Sequence, residues 1–414
     1  REFWSSDFFG NMELVKDISP GSYDSYVNIL AVTDDLIFLN PRVENEGYEL
    51  WVSDGTENGT KILKDINPGS DSGLYGWNGF KFFKDKFYFN GNNETTGAEL
   101  WVTDGTENGT FLFKDINSGS NSSNPNAFTI IGDLMYFGAT SNDYGSEVWV
   151  TDGTVNGTQM LADINEGSNN SFSGGNEGGD VPSFFEFKDE VYFIASDETH
   201  GRELWATDGT ANGTRMVKDI NEGSDPSTYG CGSMNCLFEF QGKLWFTADD
   251  GIHGRELWTT DGTQEGTYMF IDLKDGSDPS YPNIHFSTDD YFYFTAREGD
   301  NQALFMSDGK QVVMDLEIDD SGNVYLDSYD GSGLVHYDGE IYLNMYTSTT
   351  GNELWKLDGT SDGIVMVHEF RDGSSSGSPY DFTIIDNVLY FRAYDGSSNT
   401  AMQIYAYSPY DYEI

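Results

Sequence analysis

Hydrophobic positions along this chain fall in short runs rich in aromatic and β-branched residues, and each run ends in Gly, Asp, Asn or Ser. Runs of that length and composition predict strands joined by turns, and no window shows the 3.6-residue period of an amphipathic helix. The runs themselves recur. An aromatic-rich one occurs eight times, as "LIFLN", "KFYFN", "LMYFG", "VYFIA", "KLWFT", "YFYFT", "IYLNM" and "VLYFR". Ahead of each lies another apolar run, such as "FKFFKD" or "FTIIGD". Behind it comes a run centred on Trp51, Trp101, Trp149, Trp205, Trp258, Phe305, Trp355 and Tyr405, spaced 50, 48, 56, 53, 47, 50 and 50 residues apart. A run ending in Asp-Ile or a close relative completes the unit, as "KILKDI" (61–66), "FLFKDI" (111–116) or "RMVKDI" (215–220).

Four strands in about fifty residues is the size of a propeller blade. The expected fold is therefore all-β: a single eight-bladed β-propeller with four-stranded blades. The first run of this kind, "ELVKDI" (13–18), is of the fourth-strand type, and the last, "MQIYAY" (402–407), is of the third-strand type. This offset predicts a ring closed by the N-terminal strand completing the last blade. The expected organisation is an aromatic N-terminal tail at 1–12, the propeller at 13–408 and a C-terminal tail at 409–414.

The third run continues into a turn, giving "ELWVSDGTENGT" (49–60) and "ELWVTDGTENGT" (99–110). Asp-Gly suits a turn whose positive φ Gly tolerates. The Trp is expected to fill space between neighbouring blades. The recurring Glu (Glu49, Glu99, Glu147, Glu203, Glu256, Glu353) is read as a structural hydrogen-bond acceptor, because catalysis breaks symmetry and this residue keeps it. "ELWVTDGT", "ELWATDGT" and "ELWTTDGT" resemble the ELWxxDGT repeat family of secreted and cell-surface proteins. The resemblance spans the whole chain and weakens in the sixth unit ("ALFMSDGK") and the eighth ("QIYAYSPY"). It implies an extracellular repeat scaffold and brings no catalytic residues with it.

Charge narrows the partners. With 21 basic and 70 acidic side chains the formal net charge is −49. Such a chain has no positive face for nucleic acid or an anionic membrane. No run of apolar residues is long enough to span a bilayer. At 15% aromatic residues placed at regular intervals, it is also not a disordered polyanion. No signal peptide opens the chain, and "REFWSSDFFG" reads as the start of a processed product.

Seven Asn-x-Ser/Thr sequons mark candidate N-glycosylation sites: Asn58, Asn93, Asn108, Asn121, Asn156, Asn169 and Asn212. Four are the "NGT" of the repeated turn, and none lies beyond residue 212. The turn alone also accounts for those four. Cys231 and Cys236, with four residues between them in "GCGSMNCL", are expected to form a small-loop disulfide. His200 and His253 share "HGRELW" and are read as loop residues of the repeat. No cofactor is expected. Calcium in the Asp-bearing loops 221–227 and 274–280 is a weaker alternative, since their spacing lacks the alternation of a dedicated calcium loop.

Phe3, Trp4, Phe8 and Phe9 put four large aromatics in the first ten residues, which makes that segment a candidate assembly contact. The expected function is a non-enzymatic, N-glycosylated structural or adhesive subunit of a cell-surface layer or fibre, self-associating outside the cell. The alternatives are a carbohydrate-binding propeller using Tyr75, Trp77, Tyr229 and Tyr281, and, third, a polysaccharide lyase or hydrolase.

Overall fold

A computed structural model describes the chain apart from residues 1, 7–9, 22–23, 75–78, 173–181, 229–236, 299–300, 317–333, 348, 358–363, 397–401 and 409–414. The protein is all-β. Apart from strands, the described residues contain one 3-10 turn, Ala211–Gly213. Seven four-stranded antiparallel sheets follow one another along the sequence, over residues 29–64, 81–114, 126–160, 185–218, 238–271, 283–316 and 334–368. A three-stranded sheet at 380–407 is the eighth. Each is an up-and-down meander in chain order, as the recurring runs require. In the second, Lys81–Phe83 pairs with Lys86–Asn93, which pairs with Gly97–Thr103, which pairs with Phe111–Lys114.

By backbone contacts the chain divides into two compact units rather than the single domain expected from its unbroken rhythm. One comprises 1–236 with 262–264 and holds the first four sheets. The other comprises 237–261 with 265–414 and holds the last four.

Within each unit the hydrophobic clusters lie between successive sheets. Phe38, Leu50, Val52 and Leu63 of the first sheet pack with Phe87, Phe89 and Trp101 of the second. Tyr88, Leu100, Val102 and Phe113 of the second pack in turn with Phe137 and Trp149 of the third. The repeated Trp thus reaches back into the preceding sheet, as anticipated. Both faces of a third strand are covered, so Gly97–Thr103 and Gly145–Thr151 are buried along their whole length.

Two expectations about the ends need correction. The strand expected to complete the last blade, Met12–Lys16, pairs with Phe3–Ser6 in a separate two-stranded sheet. Among the described residues the last sheet, whose third strand is Gln403–Tyr407, has three strands. The closed ring is therefore not what the strand pairing shows.

Nor do the described residues 3–6 lie outside the repeat. "EFWSSD" (2–7) is a worn copy of "ELWVSD" (49–54). Its pairing has the repeat's own register: Phe3↔Lys16, Trp4↔Leu14 and Ser5↔Glu13, with a bulge between Phe3 and Trp4. The second sheet has Leu100↔Lys114, Trp101↔Leu112 and Val102↔Phe111, with the bulge between Leu100 and Trp101. Phe3–Ser6 and Met12–Lys16 are the third-and-fourth-strand half of a sheet.

Candidate functional site

Chemistry-bearing side chains concentrate around the recurring "ELWxxDGT". The Glu of that motif is fully buried in six sheets. Glu99 shows what it does. Its carboxylate accepts from Ile116 N–H at 2.7 Å, from Ser123 N–H at 2.9 Å and from the Ser123 hydroxyl at 2.7 Å. Those donors lie 17 and 24 residues downstream, just past the fourth strand and on the connection to the next sheet. Glu49, Glu256 and Glu353 take the corresponding donors, with Gly73, Ser280 and Gly377 at the distal position. The Glu is a latch holding each connection onto its own sheet. Glu2 repeats it in the N-terminal half-sheet, accepting from Ile18 N–H at 2.8 Å and the Ser25 hydroxyl at 3.0 Å. Burial pushes the carboxyls of Glu49, Glu99 and Glu203 up to about 7 and that of Glu147 to about 8, against the hydrogen bonds, which favour the ionised form.

The Asp-Gly-Thr turn is equally committed. Asp104 Oδ1 accepts from the Thr106 N–H and hydroxyl, and these bonds hold its carboxyl below the ordinary range. The Thr106 hydroxyl accepts from Gly109 N–H at 3.0 Å, and the Thr110 hydroxyl bridges Thr106 O and Thr103 Oγ1. In the fourth sheet the first Gly of the turn serves sheet packing. Gly209 has φ +90°, and a Cβ there would stand 2.8 Å from Leu134 and 3.0 Å from the Tyr136 hydroxyl of the preceding sheet.

The two repeated histidines are turn staples. His200 Nδ1 lies 2.8 Å from Asp197 Oδ2 and His253 Nδ1 2.7 Å from Asp250 Oδ2, and each carboxylate raises its imidazole. Asn93 occupies the Asp197 place in the second sheet, where its Oδ1 accepts from Thr95 and Thr96 N–H. The other six sequon asparagines are exposed. Phe3 is buried against Leu39 and Trp51 of the first sheet, whereas Trp4 is 50% exposed. Phe8, Phe9, Cys231, Cys236, Tyr75, Trp77 and Tyr229 lie outside the described residues. Of the loops considered for calcium, 274–280 has Lys274 3.5 Å from Asp278. Among the described residues no three His, Cys, Asp or Glu side chains cluster as metal ligands.

Tyr281 has an environment that sequence reading did not foresee. It is 46% exposed, just past the latch residue Ser280. The guanidinium of Arg255 lies 5.4 Å from its ring centroid and that of Arg297 5.2 Å. The three meet because Ser280 N–H donates to Arg255 O and Arg297 N–H donates to Ser280 O. The same backbone bonds place Ala98, Asn124 and Thr140 together at the junction of sheets two and three, and Asn352, Ser378 and Tyr394 at that of sheets seven and eight. Only a register comparison between repeats, looking for basic residues in so acidic a chain, would have found this cluster.

No protein-family model matches the chain, and no curated protein matches it. Solved structures do. The β-propeller domain of the trilobed protease from Pyrococcus furiosus is similar over 94% of this chain and 96% of its own, at 11% identity and a TM-score of 0.31. Puromycin hydrolase is similar over 91% of this chain and 59% of its own, at 11% identity and TM-score 0.34. Oligopeptidase B from Leishmania major follows at 87% and 52%, with 9% identity and TM-score 0.38. This chain thus spans little more than half the length of the latter two. The expectation of a structural or adhesive subunit of a surface layer or fibre, with its carbohydrate-binding and polysaccharide-cleaving alternatives, is corrected by these comparisons: the similar structures come from peptidases. At such distance the likeness carries no peptidase chemistry with it. The chain is an all-β protein built from successive antiparallel meander sheets of one repeating kind.

Proposed function

We propose that this chain is a non-catalytic propeller of eight repeats that binds another polypeptide, and that Tyr281 and Arg297, with Arg255 against the same ring, contact acidic side chains of that partner. The Arg–Tyr–Arg cluster carries the reading. Elsewhere the repeated chemistry is spent on the fold, with Glu as latch, Asp as turn anchor and His as staple. Here two guanidiniums lie over an exposed tyrosine in a chain of net charge −49. Tyr and Arg are the residues that dominate protein–protein hot spots, and a guanidinium fork matches a carboxylate. Two cations beside the ring also make Tyr281 a poor platform for stacking a sugar.

Titration with a capped tetraglutamate peptide tests this, at about 0.15 M salt so that the long-range repulsion is screened to about 8 Å. Tyr281 ring resonances should shift on binding in the parent and not in Arg255→Gln/Arg297→Gln. Equal binding by parent and variant would refute the site. Secretion and N-glycosylation belong to the same proposal, supported by the exposed sequon asparagines. Intact mass before and after glycan removal, on protein from its native source, checks that part.

A further inference from the structure

Asn-Gly is the backbone sequence most open to spontaneous deamidation. The Gly nitrogen attacks the Asn side-chain Cγ and a five-membered succinimide forms. The Cγ–Nδ2 bond breaks, and ammonia leaves with the proton that the Gly nitrogen gives up. Water then opens the ring on either side, leaving aspartate or isoaspartate. Gly favours the attack because it has no side chain to hinder it.

The repeated turn places four such bonds on the surface: Asn58-Gly59, Asn108-Gly109, Asn156-Gly157 and Asn212-Gly213. In all four the attacking nitrogen is held the same way. Its N–H donates to the hydroxyl of the Thr three residues back, at 3.0 Å for Gly59 and Thr56, 3.0 Å for Gly109 and Thr106, 2.9 Å for Gly157 and Thr154, and 3.1 Å for Gly213 and Thr210. That hydroxyl in turn donates to the turn's Asp, at 2.6–2.7 Å in every case. The carboxylate lies over the same Gly: a Cβ on Gly59, Gly109, Gly157 or Gly213 would fall within 2.1 Å of an Asp oxygen.

We propose that this Asp–Thr relay is a lock on the Gly nitrogen, and that the four asparagines are modification sites kept as intact amides by the turn that displays them. Two effects act together. The hydrogen bond must break before the nitrogen can swing onto Cγ. The carboxylate beside it opposes the negative charge that builds on the nitrogen as its proton leaves. The turn does not need Asn for its shape. In the fifth sheet the equivalent stretch is "DGTQEGT" (261–267), with Glu265 in the Asn place, and Asp261 still lies over Gly266 as its counterparts do. Asn at the other four sites is therefore free to serve something outside the turn, and the lock preserves the amide that such a role requires.

The four turns allow a test within one molecule. Non-glycosylated full-length chain is aged at mildly alkaline pH and 37 °C, and peptide mapping follows the mass gain and isoaspartate at each Asn. In Thr106→Val, Asn108 should deamidate about fivefold faster or more, the factor for losing one ordinary hydrogen bond. Asn58, Asn156 and Asn212 should keep the parent rate. Thr106→Ser, which retains the hydroxyl, should behave like the parent at all four. An unchanged rate at Asn108 in Thr106→Val overturns the lock, and so does equal acceleration at all four sites, which would mean that the whole chain has loosened. The parent supplies an arm free of any folding defect. All four sites should be slower in the native chain than in concentrated urea, and equal rates there would also overturn the inference.

Discussion

At the scale of single residues, the same side chains set both geometry and pH response. The carboxyls of Glu49 and Glu99 are raised from 4.5 to about 7, so the unfolded chain ionises them before the folded chain does. Their contribution is complete below pH 4.5 and is lost as pH rises through about 7. The turn aspartates are depressed below 3.8, so theirs is present above that pH and lost as pH falls. Thermal melts across pH should therefore peak near about pH 4–5. Glu99→Gln, which turns an amide N–H₂ toward backbone donors, should cost about 1–3 kcal/mol at acid pH and flatten the decline toward neutrality. Glycines of the turn separate backbone strain from packing. Gly55→Ala has open space around the new methyl and should cost about 1 kcal/mol for its positive φ. Gly209→Ala adds the collision with Leu134 and Tyr136 and should cost about 2–4 kcal/mol in denaturant melts. The latch role was legible in the recurrence of Glu across six units. Its donors were not, because they are mostly backbone N–H groups, which every residue but proline carries.

Strands show how far pattern reaches. Every one of the eight aromatic-rich runs forms a second strand, because short β-branched and aromatic runs between turn residues have no competing helical solution. The half-sheet at the start escaped notice for a physical reason. Phe replaces Leu, Ser replaces Val, and the Gly-Thr that marks the turn is gone, yet the register and the latch survive in Phe3–Lys16 and Glu2. The contrast between Trp101 and Trp4 is measurable. Trp101 sits in a closed cluster at 6% exposure, and Trp101→Ala should cost about 3–5 kcal/mol. Trp4 has lost half of that cover, so Trp4→Ala should cost well under half as much in the same assay. The Arg–Tyr–Arg cluster was illegible for a different reason. Its members sit at 255, 281 and 297, and only the backbone bonds around Ser280 bring them together.

Across the whole molecule, 70 acidic groups against 21 basic ones make self-repulsion a general term. Raising salt from about 0.01 to 0.15 M shortens the screening length from about 30 to 8 Å and should raise the melting temperature. Lowering pH toward 4.5 acts in the same direction as the latches. The latch also decides how the polypeptide can be divided. Each Glu ties its own strand to a connection that runs on into the next sheet, so the piece that keeps its bonds begins at a third strand and ends after the following second strand. A fragment cut between sheets, where a count of strands would place the boundary, parts a connection from the carboxylate that holds it. A fragment cut in the hairpin just before a Glu-Leu-Trp, at 96–97 or 200–201 for example, keeps every latch it contains. For excision, permutation or grafting of these repeats, the seam therefore lies inside the sheets rather than between them.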